Sequence, residues 1–276
     1  MNYFITDIKS MVRSTSFQLL FFVSAVVMIL DPITMYFVLG NSKGYFEELG
    51  TNFYRHWILM NYSWGNRLFC SLFFAIPCIL PGLVYYHEQK SSVRDLLVTR
   101  GTWKQYFLSK VFAQILTAFF TLLLLFVING IVTGIFFPVN GPLIMDQVDI
   151  TPIKESFAYS LFVKSPMLVV LIYWFLVAAA LALLSLNTMA ILSVIHFKNI
   201  YLTLLVPFVV YTLGDMLISK YIDWKYSLLI MMQPSATWGV TDLYTSWSNW
   251  GVIFGVLILA DVVLLLIGYR KGKESI

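Results

Sequence analysis

Few residues in this chain have side chains suited to catalysis or metal binding, and these residues do not cluster. None of its three histidines, His56, His87 and His196, pairs with another histidine or with a cysteine at the spacing of metal ligands. The run from Gly268 to Lys273 lacks the spacing of a phosphate-binding loop, so ATP hydrolysis by that chemistry is excluded for this chain alone. We therefore expect a protein that is not an enzyme and holds no cofactor or metal of its own.

Asp261 is the one acidic residue that we expect deep inside an apolar stretch. Tyr269 and Arg270, two helical turns further on, mark the membrane boundary, which places Asp261 about 12 Å inside it. Such a carboxylate either locks helices together by hydrogen bonds or belongs to a proton or ion pathway. The first interpretation is favoured, because a pathway usually has several such groups. Thr117 and Thr121 are expected at a comparable depth and are candidate donors.

The composition is that of a membrane protein with several spans. Hydrophobic residues make up 59% of the 276 residues and charged residues 12%, whereas soluble domains carry roughly 25% charged residues. The N-terminus lacks a small-residue cleavage site, so we expect no cleavable signal peptide. The net charge of +4 gives no reason to expect a nucleic-acid partner.

Six stretches are long and apolar enough to cross about 30 Å of hydrocarbon as helices, which predicts an all-α fold in a single transmembrane domain. Basic residues are more numerous at one set of membrane ends, and the positive-inside rule then predicts that both termini are cytoplasmic. The fourth stretch is long enough that it must tilt, break or project past Ser185 and Asn187. The predicted spans are 17–39, 67–86, 107–136, 166–195, 200–219 and 250–269.

Two further segments are predicted to lie at the membrane surface. Residues 1–16 are too polar to span, and their apolar side chains share one helical face with Asp7 off it, which predicts an interfacial helix. The apolar run 228–232 is too short to span and predicts a re-entrant segment before the last helix. Asp31 and Asp215, near the outer membrane ends, are expected to contact water.

Residues 87–110, which we call the elbow, join the second and third spans. An apolar triplet, Leu96 to Val98, lies among charged residues, so a short helix here would have one apolar and one basic face. Such a helix suits docking into the groove of a cytoplasmic partner. The charged residues of the elbow are Glu88, Lys90, Arg94, Asp95, Arg100, Lys104 and Lys110.

The elbow and its setting resemble the permease subunits of bacterial ABC-2 type ATP-binding cassette exporters. In that family an interfacial helix precedes six spans, the second span ends at a glutamate, and a coupling helix leads to a lysine that opens the third span. Here Ser91 and Ser92 replace the Gly-Thr pair of the family, and its proline is absent. The matching positions are Glu88, Leu96, Leu97, Arg100, Gly101, Thr102 and Lys110.

The resemblance implies a separate cytoplasmic ATPase subunit that binds ATP and Mg, and a second permease chain, identical or related, in the lipid of a bacterial plasma membrane. Glu88 would cap or pair near the coupling helix. The ATPase groove would receive Leu96, Leu97 and Trp103. Its orientation would be set by Arg94, Asp95, Arg100 and Lys104, although ordinary membrane topology explains the basic residues equally well.

These observations predict an ATP-driven exporter of an amphipathic or hydrophobic substrate, such as a peptide, a drug or a lipid-like molecule. Two alternatives remain open. One is an ion- or proton-coupled carrier that uses Asp261, and the other is a membrane scaffold or sensor that transports nothing. A neighbouring ATPase gene would favour the exporter, and a solitary gene the carrier.

Overall fold

The computed structural model is helical, and no strand occurs among the residues it describes. These are residues 3–40, 52–57, 64–65, 68–69, 73–90, 102–139, 164–195, 197, 199–231 and 247–274. The α-helices are α1 (Tyr3–Arg13), α2 (Thr15–Gly40), α3 (Phe53–Trp57), α4 (Ile76–Lys90), α5 (Trp103–Phe136), α6 (Pro166–Val194), α7 (Ile200–Leu217), α8 (Leu228–Met231) and α9 (Trp247–Glu274). A π-helical turn, Ile218–Asp223, extends α7, and a 3-10 turn, Trp224–Tyr226, follows it.

Five of the described helices are long and apolar enough to cross a membrane, namely α2, α5, α6, α7 with its π-helical turn, and α9. Large apolar side chains such as Phe22, Ile135 and Leu259 are exposed along them. In water, such rows would form apolar patches far larger than soluble proteins tolerate, whereas lipid accepts them. The all-α membrane fold is thereby confirmed, and five of the six predicted spans are helices of spanning length.

The second predicted span, 67–86, is not among these five. The described helix begins at Ile76 and has 15 residues, which is about 22 Å and short of the hydrocarbon thickness. Pro77 lies in its first turn, where the missing N–H removes no helical hydrogen bond. The helix continues to Lys90, so the second half of the predicted span and the first residues of the elbow form one helix.

Helix α6 is the centre of the bundle and packs against α4, α5 and α9. Its small residues Ala178, Ala179, Ala180 and Ala182 let neighbouring backbones come close. The ring of Trp174 stacks on Phe126 with centroids 3.7 Å apart. The helix is continuous over 29 residues, or about 44 Å. Of the three expectations for this span, a break is therefore excluded.

The two acidic residues that were expected to contact water both accept hydrogen bonds. Asp31 is buried and accepts a bond from the N–H of Gly65 at 3.1 Å, so that prediction is wrong for Asp31. Asp215 is partly buried and accepts from the Ser227 hydroxyl and the Leu228 N–H, each at 2.7 Å. It thereby caps the N-terminus of α8. The predicted re-entrant segment falls partly outside the described residues and stays a prediction.

Candidate functional site

A layer of buried polar side chains crosses the bundle, and Asp261 of α9 lies in it. The carboxylate is 2% exposed, and its Oδ1 accepts a hydrogen bond from the Asn187 side-chain amide of α6 at 2.8 Å. Its Oδ2 has no hydrogen-bond partner among the described residues. Asn187 and Ser185 are both buried in the bundle; whether α6 tilts or projects into the cytoplasm past them stays a prediction.

The layer continues from α6 to α7 and α4. The Tyr211 hydroxyl donates to the Asn187 side-chain oxygen at 3.2 Å and lies 2.8 Å from the Thr188 hydroxyl. The Thr188 hydroxyl is 3.9 Å from the sulfur of Cys78, a buried free thiol. Side chains from α4, α6, α7 and α9 therefore meet in one connected polar chain. Residues of this kind at bundle depth hold helices in register, because lipid offers no other partner.

Helix α5 joins this layer through a glutamine rather than through the predicted threonines. The Gln114 amide donates to the Ser185 hydroxyl at 2.6 Å. Thr121 donates to the backbone oxygen of Thr117, whose own hydroxyl has no partner among the described residues. Neither threonine donates to Asp261, because α6 lies between α5 and α9 and supplies the donor itself. The helix that supplies the donor to Asp261 is α6.

A buried ion pair fastens α1 to the start of α5. The Lys110 ammonium lies 2.8 Å from Asp7 Oδ1, and the two side chains are 8% and 7% exposed. The Ser109 hydroxyl donates to the other carboxylate oxygen of Asp7. The predicted N-terminal helix is confirmed as a helix, but its packed face includes Asp7, which was expected to point away. The reason is that Lys110 would otherwise be buried without a counter-charge.

The predicted contacts of the elbow fall largely outside the described residues, which omit Arg94, Asp95, Leu96, Leu97 and Arg100. Of Glu88 the structure describes only the helical backbone. Lys104 is exposed. The role of these residues stays a prediction.

Trp103 packs against α9. Its indole N–H donates to the backbone oxygen of Tyr269 at 3.0 Å, and its ring lies against Phe107 and Tyr269. Thr102 caps α5 in front of it with a capping box to Gln105. We call the end of the bundle that contains Trp103 the elbow end, and the opposite end the far end.

Gly268 and Gly272 have a packing role; both lie in the run that lacks the spacing of a phosphate-binding loop. A Cβ at Gly268 would collide with Ser193 of α6, and a Cβ at Gly272 would collide with Trp103. The two glycines are four residues apart, so they lie on one face of α9 and allow it to approach both α6 and α5. Lys271 adds a hydrogen bond to the backbone oxygen of Val194 at 2.8 Å.

Helix α3 closes the far end by docking onto α5. The Trp57 indole donates to the backbone oxygen of Phe126 at 2.9 Å and covers Gly130, where a Cβ would collide with the indole ring. The backbone N–H of Phe53 donates to the oxygen of Pro138 at 3.0 Å. Nothing in the local sequence pattern indicates which span receives this helix.

The fold and these contacts define an all-helical membrane protein with a polar layer inside its bundle. The described residues contain no group of three or more histidine, cysteine or acidic side chains that could hold a metal ion. Comparisons of the chain with protein-family models, with characterised proteins and with solved structures give no significant match.

Proposed function

We propose that this chain is the membrane-spanning permease subunit of an ATP-driven exporter that resembles the ABC-2 type. A separate cytoplasmic ATPase would bind ATP and Mg, and a second permease chain, identical or related, would complete the pathway. The setting would be a bacterial plasma membrane with both termini in the cytoplasm. The substrate would be amphipathic or hydrophobic.

The observation that carries the proposal is the way the helices around the elbow are fastened to the rest of the bundle. A force applied to the elbow would reach α5, which is joined to α1 by Lys110 and Asp7. It would pass to α9 through the hydrogen bond of Trp103 to Tyr269, and to α6 through Gln114. A partner that moves the elbow could therefore shift several helices together. This is the linkage that an exporter driven by a separate ATPase requires.

The apolar triplet of the elbow supplies the test. We expect that replacing Leu96 and Leu97 together by aspartate leaves the chain inserted but abolishes its association with the ATPase. The reason is that a carboxylate buried in an apolar groove has no partner there. The measurement is recovery of the proposed ATPase partner when the tagged chain is purified from membranes. Replacing Ser91 and Ser92 by aspartate is the matched control, because it adds the same charge at polar positions of the same elbow.

Normal ATPase recovery and normal export by the leucine variant would refute the role of the triplet. Equal loss in both variants would mean that added negative charge, rather than the loss of apolar contacts, disrupts the complex. Only loss confined to the leucine variant supports docking through the triplet.

A carrier that uses Asp261 is the second candidate, and the unpartnered Oδ2 of this carboxylate favours it. A proton or small cation could bind to that oxygen. The two candidates differ in their response to Asp261→Asn, which preserves size and hydrogen bonding but removes the titrating group. The exporter should tolerate the change, whereas a proton-coupled carrier should lose transport at normal expression.

A further inference from the structure

We propose that the elbow end carries a collar of exposed basic side chains that binds the headgroups of anionic phospholipids. The collar consists of Lys9, Arg13, Lys104, Arg270 and Lys273, all of which are exposed. The three helices that carry these cations, α1, α5 and α9, each place them beside apolar side chains that face lipid. The collar is independent of the proposed function, because lipid binding requires neither an ATPase nor a transported substrate.

On α9, a row of exposed apolar side chains ends in two of these cations. Leu259, Val263 and Leu266 are exposed, and their spacing of four and three residues places them on one face of the helix. Arg270 and Lys273 continue the same row, again at spacings of four and three residues, and are exposed. Since the apolar part of the row faces the acyl chains of the membrane, the two cations lie where the headgroups of the same lipids begin.

The same arrangement occurs at the start of α5. Leu108 and Phe112 are exposed and lie one turn apart, and exposed Lys104 precedes them by one turn on the same face. Four residues of α-helix rise about 6 Å, so the ammonium group of Lys104 lies outside the acyl-chain region that Leu108 and Phe112 face. Its methylene stem can still pack on an acyl chain, as lysine stems do at membrane surfaces.

Helix α1 is held in a rotation that directs its two cations away from the bundle. The buried ion pair of Asp7 fixes one face of α1 against α5. Exposed Lys9 and Arg13 lie one turn apart on the other side of the helix, and Lys9 lies between exposed Ile5 and Val12. Two cations one turn apart are close enough to contact one phosphate group, and the apolar side chains beside them face the acyl chains.

The charge of the collar is not neutralised within the described part of the protein. None of its five cations forms an ion pair with an acidic residue that the structure describes. A phosphatidylglycerol headgroup has a phosphate charge and no ammonium group, and each lysine or arginine near a membrane surface strengthens binding of such a lipid about fivefold. A soluble acidic protein has no access to side-chain stems that lie along acyl chains, which favours lipid as the occupant.

The test is photolabelling of the purified full-length chain in phosphatidylcholine nanodiscs. The probes are phosphatidylglycerol and phosphatidylcholine with identical acyl chains and a diazirine near the glycerol end of one chain, and labelled residues are mapped by mass spectrometry. We expect the phosphatidylglycerol probe to label the elbow-end segments of α1, α5 and α9 about fivefold or more above the other probe. At the far end the two probes should label equally. Raising the salt from about 0.1 M to about 1 M shortens the screening length from about 10 Å to about 3 Å and should remove most of the preference.

Variants assign the preference to individual helices. Lys9→Gln with Arg13→Gln should remove the preference on α1 and leave that on α9 unchanged. Arg270→Gln with Lys273→Gln should have the reverse effect. Each pair is therefore the control for the other, and exposed substitutions of this kind have little effect on folding. Lys220→Gln removes a cation that is exposed at the far end and should leave the labelling of the elbow end unchanged.

Equal labelling of the elbow end by both probes would overturn the proposal and would leave these cations to an acidic protein surface. A preference that persists in about 1 M salt, or in both double variants, would refute recognition by these charges. A preference of the same size at both ends of the parent chain would show general attraction to a basic protein and would refute the collar. Because the ATPase is absent from this experiment, none of these results bears on the proposed function.

Discussion

Replacing Lys110 by methionine tests how the N-terminal helix is held to the bundle. Methionine preserves the length and the apolar stem of lysine but removes the charge that faces Asp7 at 2.8 Å. Removing one partner of a buried ion pair costs about 3–5 kcal/mol, because the other charge stays buried and uncompensated. Ser109 still donates to Asp7 in this variant, so we expect a loss near the lower limit, about 3 kcal/mol of the free energy of unfolding.

The double variant separates the net contribution of the ion pair to stability from the cost of removing only one of its partners. With Asp7→Leu added to Lys110→Met, no charge stays buried, and apolar replacements of buried ion pairs are often neutral or stabilising by about 1–4 kcal/mol. Ser109 loses its acceptor, which offsets about 1 kcal/mol. The double variant should therefore be close to the parent chain in stability. The resulting coupling energy between the two sites should be at least about 2 kcal/mol.

The assay is unfolding of the purified chain in mixed detergent micelles, followed by tryptophan fluorescence. Lys9→Met is the control, because Lys9 is exposed on the same helix and surface changes of this kind stay within about 0.5 kcal/mol. If Lys110→Met costs no more than Lys9→Met, Asp7 is not buried against Lys110 and the docking of α1 described above is incorrect.

Two further predictions concern the interior of the bundle and use the same unfolding assay. Asp261→Asn should keep stability close to that of the parent chain, whereas Asp261→Leu leaves the Asn187 amide without its acceptor and should cost about 0.6–1.7 kcal/mol, the range for polar contacts between membrane helices; a larger loss in the asparagine variant would contradict this account. Gly130→Ala should cost about 1–3 kcal/mol because the added methyl group would meet the Trp57 indole. Gly251→Ala meets no atom within 4 Å among the described residues and should be neutral or slightly stabilising, because helix propensity favours alanine over glycine. Equal losses in both glycine variants would refute the packing of Trp57 on Gly130 as the cause.

The sequence indicated Asp261 as a candidate for the site, but not the residues that it contacts. Asp261 was found because a carboxylate far inside an apolar stretch is unusual wherever its neighbours lie. The same criterion applies to Asn187, an amide in the fourth apolar stretch. Because that stretch is longer than a span requires, Asn187 was considered only as a residue past which the helix projects. Thr117 and Thr121 were chosen by depth alone. The depth of a side chain in the membrane follows from its position along a helix. The residue that it contacts depends on which helices are neighbours.

What the sequence determined by itself is the all-α membrane class, the five long apolar helices and the amphipathic N-terminal helix. These follow from local physics, since an apolar stretch of sufficient length satisfies its own backbone hydrogen bonds and prefers lipid to water. Only the tertiary structure decided that Asp7 is buried against Lys110 and that Asp261 meets Asn187 rather than a threonine. Both pairs join residues far apart in the chain, and each depends on how whole helices pack, which no local pattern encodes.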